Sequence, residues 1–109
     1  KSAMVQNYYK YLDKLRKLNE ENPYALPLLG IITEFFNKRQ FDYFDLHIRL
    51  YAICDEGFNH NKLLKTLKDL SSIGILYVVE NTSDEYSKVY RSQITFYEFR
   101  LIRFKICFR

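Results

Sequence analysis

A stretch of 109 residues with 48% hydrophobic content reads as one small domain with little room for a second core, and enough apolar surface to bury that disorder is not expected. Three Gly and two Pro among ten Tyr and nine Phe favour helices joined by short turns over a turn-rich β-sandwich. The net charge of +4 permits phosphate or acidic partners without demanding them.

Val5, Tyr8, Leu12, Leu15 and Leu18 recur at helical steps with lysines between them, so an amphipathic helix is expected over about 5–19, ended by Asn22-Pro23. Tyr9 and Tyr11 fall off that stripe, and read either as contacts to another domain or another copy of the chain or as solvated tyrosines. Pro27 suits the first turn of the next helix, and Leu28, Leu29, Ile31, Ile32, Phe35 and Phe36 make it apolar nearly all round, as a central core helix to about Asn37. Lys38-Arg39-Gln40 reads as a polar turn.

A third helix is expected from an Asp42 cap, with Asp45 in its first turn, to about Cys54 before Gly57. Leu46, Leu50, Ile53 and Cys54 form its buried stripe, which Phe44, Ile48 and Tyr51 widen. Asn59 or Asn61 caps a fourth helix over about 60–72. Its stripe is Leu63, Leu64, Leu67 and Leu70, and Gly74 then takes the left-handed stop position. Lys62, Lys65 and Lys68 lie on the outer side, with Thr66 and Asp69 beside them.

Residues 75–80, dense in β-branched and aromatic types, read as a strand, and 88–96 as its partner across a polar loop. The tail YEFRLIRFKICFR has no clean period; a short helix over about 97–104 is favoured, with a third strand as the alternative. A helix-turn-helix over about 42–73 followed by a hairpin over about 75–96 is the winged-helix plan, here in a single domain with an extra N-terminal helix and a C-terminal segment 97–109. The opening KSAMVQ lacks an apolar signal core and starts without Met, which reads as a segment of a longer, unsecreted chain. No apolar run approaches the ~20 residues of a membrane span.

The chemistry-bearing residues point to binding rather than catalysis. Asp42 with Asp45 suits a helix start, and Asp84 with Glu85 a solvated turn. His47, Cys54, His60 and Cys107 lack metal-ligand spacing, and Gly30, Gly57 and Gly74 form no phosphate loop, so no catalytic, cofactor or metal site is expected. Cys54 and Cys107 are expected as buried, reduced thiols.

The runs LPLLGIITEFF, FDYFDLHIRLYAICDEG and LLKTLKDLSSIGIL resemble the C-terminal winged-helix domain of the origin-recognition and replication-initiator ATPases. Leu26-Pro27, Phe41, Tyr43, Leu46, Cys54, Gly57, Leu67, Leu70 and Gly74 carry the resemblance over most of residues 24–96. The wing departs from that family. DNA-binding members carry Arg, Lys and Gly at the tip, whereas Asn81-Thr82-Ser83-Asp84-Glu85-Tyr86 is acidic, which resembles the fungal silencing branch, the silent-information-regulator chromatin proteins. That resemblance implies a nuclear, non-catalytic protein–protein module with homodimerisation as its task and other chromatin proteins as further partners.

The candidate interface residues are Tyr8, Tyr9, Tyr11, Tyr97, Phe99, Phe104, Ile106 and Phe108. The alternative is DNA binding through Asn61, Lys62, Lys65 and Lys68 of the fourth helix with Arg91 of the hairpin.

Overall fold

The computed structural model describes the backbone of residues 2–53 and 59–108 and the side chains of 9–50 and 59–108. Its elements run α1 (Ser2–Glu21), α2 (Ala25–Phe36), β1 (Gln40–Asp42), α3 (Tyr43–Ile53), α4 (His60–Ser72), β2 (Leu76–Glu80), a 3-10 turn (Glu85–Ser87), β3 (Val89–Ser92) and α5 (Phe96–Cys107). The three strands form one antiparallel sheet in the order β1-β3-β2. With α2, α3 and α4 beside that sheet, the arrangement is winged-helix-like, mainly helical with a small sheet. Among the described residues no helix is long and apolar enough to cross a membrane.

α1 buries Leu12, Leu15 and Leu18 as their spacing requires. Tyr11 is part of the core and not an outside contact, because it stands four and seven residues before Leu15 and Leu18 and so shares their helix face. Asn22 closes α1 and ties it to α4. Its Nδ2 donates to Thr66 Oγ1 at 3.1 Å and to Asp69 Oδ2 at 3.0 Å, while its Oδ1 accepts from the Tyr24 N–H. Thr66 is consequently buried under that turn rather than standing on the outer face of α4.

α2 is the central helix, with Leu28, Leu29 and Ile32 fully buried. It begins two residues before Pro27. The proline still falls among the first four positions, whose N–H groups have no intrahelical partner, so its missing donor costs nothing there. Asn37 ends α2 at a φ of 54° and spends its side chain on the next layer, accepting from the Phe96 N–H at 3.0 Å.

The largest departure from the expected element order is β1. Gln40, Phe41 and Asp42 pair with Arg91, Tyr90 and Val89, where a polar turn leading straight into a helix cap was expected. Asp42 still serves the start of α3: its Oδ1 accepts from the Asp45 N–H at 2.9 Å while Asp45 Oδ2 accepts from the Asp42 N–H at 3.0 Å. α4 begins at the expected cap, with Asn59 Oδ1 accepting from the Lys62 N–H, and it stops before Gly74, whose φ of +86° is the left-handed value.

The second hairpin strand ends at Ser92, four residues earlier than expected, because Ser92 Oγ bonds both the N–H and the carbonyl of Ile94 and turns the chain. The tail is a helix, longer than expected at both ends. Thr95 and Glu98 form a reciprocal capping box that starts it: Thr95 Oγ1 accepts from the Glu98 N–H, and Glu98 Oε1 accepts from the Thr95 N–H. α5 packs on α1 and α2, away from the sheet.

Candidate functional site

α5 is apolar on two sides, which is why its sequence shows no single period. Phe99 and Ile102 are buried with the aliphatic part of Glu98, and Ile106 is half-buried behind them. On the opposite side Tyr97 (58% exposed), Leu101 (37%), Phe104 (58%) and Phe108 (65%) follow one another at steps of four, three and four residues. That spacing sets them in one line along the helix. The Phe104 and Phe108 rings lie 5.5 Å apart, and Arg100 and Lys105 edge the line with positive charge.

The inner face of α5 fits α2 through a glycine. Gly30 lies under Phe99, where a Cβ would stand 2.8 Å from the ring carbon Cζ, so any larger residue would push α5 outward. Beside that contact runs an open groove of about 450 Å³ with Leu26, Ile31, Phe96 and Phe99 in its wall and Glu34, Arg100 and Arg103 at its edge. Cys107 stands at the groove as an exposed free thiol, contrary to the expectation of burial, because it falls off the α5 face that Phe99, Ile102 and Ile106 turn to the core.

A second exposed apolar surface is built where α3 meets the wing. Phe44 (55% exposed) and Ile48 (67%) point outward from α3, although they were expected to widen its buried stripe. α3 is apolar over most of its circumference, and its inward side is taken by Tyr43, Leu46 and Leu50. Tyr86 of the wing closes over α3, its ring edge-on to Tyr43 at 4.8 Å and tilted to Phe44 at 6.1 Å. The wing is held in that position by its own acids. Asp84 accepts from the Tyr86 N–H at 3.1 Å and from Ser87 Oγ at 2.7 Å, while Glu85 pairs with Lys88 at 2.8 Å.

Tyr43 is the hub beneath this surface. Its ring stacks on His47 and His60 at 5.6 and 5.8 Å, and its hydroxyl is hydrogen-bonded to Nδ1 of His60. Burial raises its phenol above the ordinary value, with the neighbouring Tyr86 adding to the effect; burial and then Glu85 do the same for Tyr90. The folded state therefore holds these protons more tightly than the unfolded chain. The contribution of these two phenols to stability is complete below about pH 10, the unperturbed phenol value, and is lost as pH rises through the raised values. Thermal melts taken from pH 8 upward should show that decline, and Tyr43→Phe should flatten it; an identical alkaline slope in both proteins would contradict the linkage.

The residues expected to read DNA are exposed on α4, but two of the three lysines are engaged. Lys62 Nζ donates to the Tyr24 hydroxyl at 2.8 Å, 4.7 Å over that ring, and Lys65 pairs with Asp69 at 3.0 Å. Asn61 and Lys68 are exposed beside them. Arg91 is half-buried on the sheet, its guanidinium 5.3 Å over Tyr77.

Of the aromatics expected at an interface, Tyr97, Phe104 and Phe108 come together on one face of α5, and Tyr9 is exposed on α1. Phe99 is a correction: it is 4% exposed and belongs to the core, like Tyr11. Ile106 is half-buried against that core, and the Tyr8 side chain, like Cys54 and Gly57, lies outside the described residues. Sequence reasoning missed Leu101, Phe44, Ile48 and Tyr86. Leu101 could have been found, since it falls in register between Tyr97 and Phe104. Among the described residues no three His, Cys, Asp or Glu side chains group to hold a metal ion. No family model, no curated protein and no solved structure matches this chain.

Proposed function

We propose that this winged helix is a non-catalytic interaction module that joins copies of its own chain, serving as the homodimerising domain of a nuclear chromatin protein of the silencing type, related to the origin-recognition and replication-initiator ATPases. The family part of this reading rests on the quoted resemblance in residues 24–96. The interaction part rests on one observation: α5 buries one apolar face in its own domain and leaves a second, four residues long, in water. A small domain rarely exposes so continuous an apolar line unless another surface covers it. Copies of the same chain are the commonest such cover in soluble assemblies. Other chromatin proteins are further partners on this reading.

Light scattering over a concentration series tests it. The weight-average mass should rise from one chain toward two or more, and a strict monomer at the highest concentration would remove the proposal.

A second reading, DNA binding through α4, is favoured by the row Lys62, Lys65 and Lys68. Against it stand the partners already held by Lys62 and Lys65, and a wing whose Asp84 and Glu85 would meet phosphate with like charge. Duplex titration at two salt concentrations should show weak binding that the triple change Lys62→Glu, Lys65→Glu, Lys68→Glu leaves unaltered. Tight, steeply salt-dependent binding that the triple change abolishes would reverse the order of the two readings.

A further inference from the structure

We infer that copies of the chain associate head to tail, the α5 face of one seated on the α3 and wing face of the next, an inference that rests on the self-association reading above. The two faces are carried by different parts of the fold, α5 on α1 and α2, and α3 on β1 and the wing. Both are apolar at the centre. Tyr97, Leu101, Phe104 and Phe108 form one, and Phe44, Ile48 and Tyr86 the other.

Their edges have opposite sign. The α5 line is bordered by Arg100 on one flank, four residues before Phe104, and by Lys105 on the other, four residues after Leu101, both exposed; Arg103 stands with Glu34 at the groove. The α3 and wing patch is bordered by Asp42, Asp45, Asp84 and Glu85; among the described residues Glu85 pairs with Lys88, while Asp42, Asp45 and Asp84 accept hydrogen bonds from backbone N–H groups. Arg49, also exposed on α3, is drawn away over the Phe35 ring at 5.3 Å.

Self-pairing is the poorer use of either face. Two α5 helices crossing antiparallel about a centre between Leu101 and Phe104 would set the two Arg100 side chains along one edge of the contact and the two Lys105 side chains along the other. Two copies of the α3 and wing patch would bring carboxylates together in the same way. Like charges facing each other across an interface cost several kcal/mol, whereas the heterologous pairing puts basic edge on acidic edge around an apolar centre. A heterologous contact leaves one face of each kind free on a pair of chains. Two copies make a dimer with open ends, and further copies add to it unless the rotation closes a ring.

Two single changes and their mixture test the geometry. Phe104→Glu blocks the α5 face and Phe44→Glu the α3 face; both positions are exposed, and circular dichroism with a thermal melt establishes that each variant is folded. Leu101→Glu and Ile48→Glu serve as a second pair if either first variant fails to fold. At concentrations where the wild type associates, each variant alone should sediment as a monomer. Their equimolar mixture should form a one-to-one dimer that grows no further, since one variant contributes an intact α3 and wing face and the other an intact α5 face. Raising the salt should weaken that dimer about tenfold or more.

If Phe44→Glu associates like the wild type while Phe104→Glu does not, the contact is α5 on α5 and the head-to-tail geometry is wrong, although self-association stands. If both variants are monomeric and stay so when mixed, the geometry is likewise wrong. A wild type that is itself monomeric throughout removes the self-association reading, and this inference with it.

Discussion

Phe41 exchanged for alanine is expected to lower the unfolding free energy by about 3–5 kcal/mol, the range for truncating a buried aromatic. Its ring is 1% exposed and lies between Phe36, at 4.9 Å, and Tyr90, at 5.7 Å, both stacked upon it. Phe41 is also the middle residue of a three-residue strand and pairs directly with Tyr90. So short a strand has few ladder bonds of its own, and its side chain holds the sheet edge to α2. A small domain has about 5–15 kcal/mol in total, so the loss would consume a large part of it. Denaturant unfolding followed by circular dichroism measures the difference, and a loss below about 1 kcal/mol would show that β1 is not held in this way.

Truncating Leu101 and Phe104 together to alanine is expected to do the opposite: little to the fold and much to association. Both side chains stand on the outer side of α5, and alanine is the best helix former, so the melting temperature should move by only a few degrees. Large apolar groups at the centre of an interface are where truncation costs most, on the order of 2 kcal/mol each, so self-association should weaken by about 100-fold or more. Sedimentation equilibrium of both proteins gives the two constants. Equal constants would mean that the α5 line is not where copies meet.

How much of this was legible in the sequence depended on whether an element has one apolar face or two. α4 has one, with leucines inside, lysines outside, Asn59 at its start and Gly74 after its end, and its observed limits are the expected ones. α5 has two, and superposing both stripes erased the period that would have marked it as a helix beyond residue 104. The Thr95-x-x-Glu98 capping box was the stronger signal, but Thr95 and Phe96 also continue the alternation of the preceding strand. β1 was beyond the reach of pattern, since three residues cannot establish a period of two.

The same limit governed the candidate site. Phe44 and Ile48 have helical spacing that serves an inward stripe as well as an outward one, and the tertiary packing that buries Tyr43, Leu46 and Leu50 and sets Tyr86 against Phe44 is not visible in that spacing. Tyr11 and Phe99 read as surface residues from sequence because Tyr11 falls off the Val5–Leu18 stripe and the chain holds more aromatics than a small interior accommodates. Gly30 is part of the reason they fit, since its missing side chain makes room for the Phe99 ring.

Amide-resolved NMR of the wild type across a dilution series tests the central claim most directly, because it reports where copies touch as well as whether they do. Concentration-dependent shifts are predicted for residues 97–108 of α5 and, on the head-to-tail geometry, for 42–48 and 84–87, with α4 unmoved. Shifts confined to 60–72, or spectra that do not change with concentration, would contradict it.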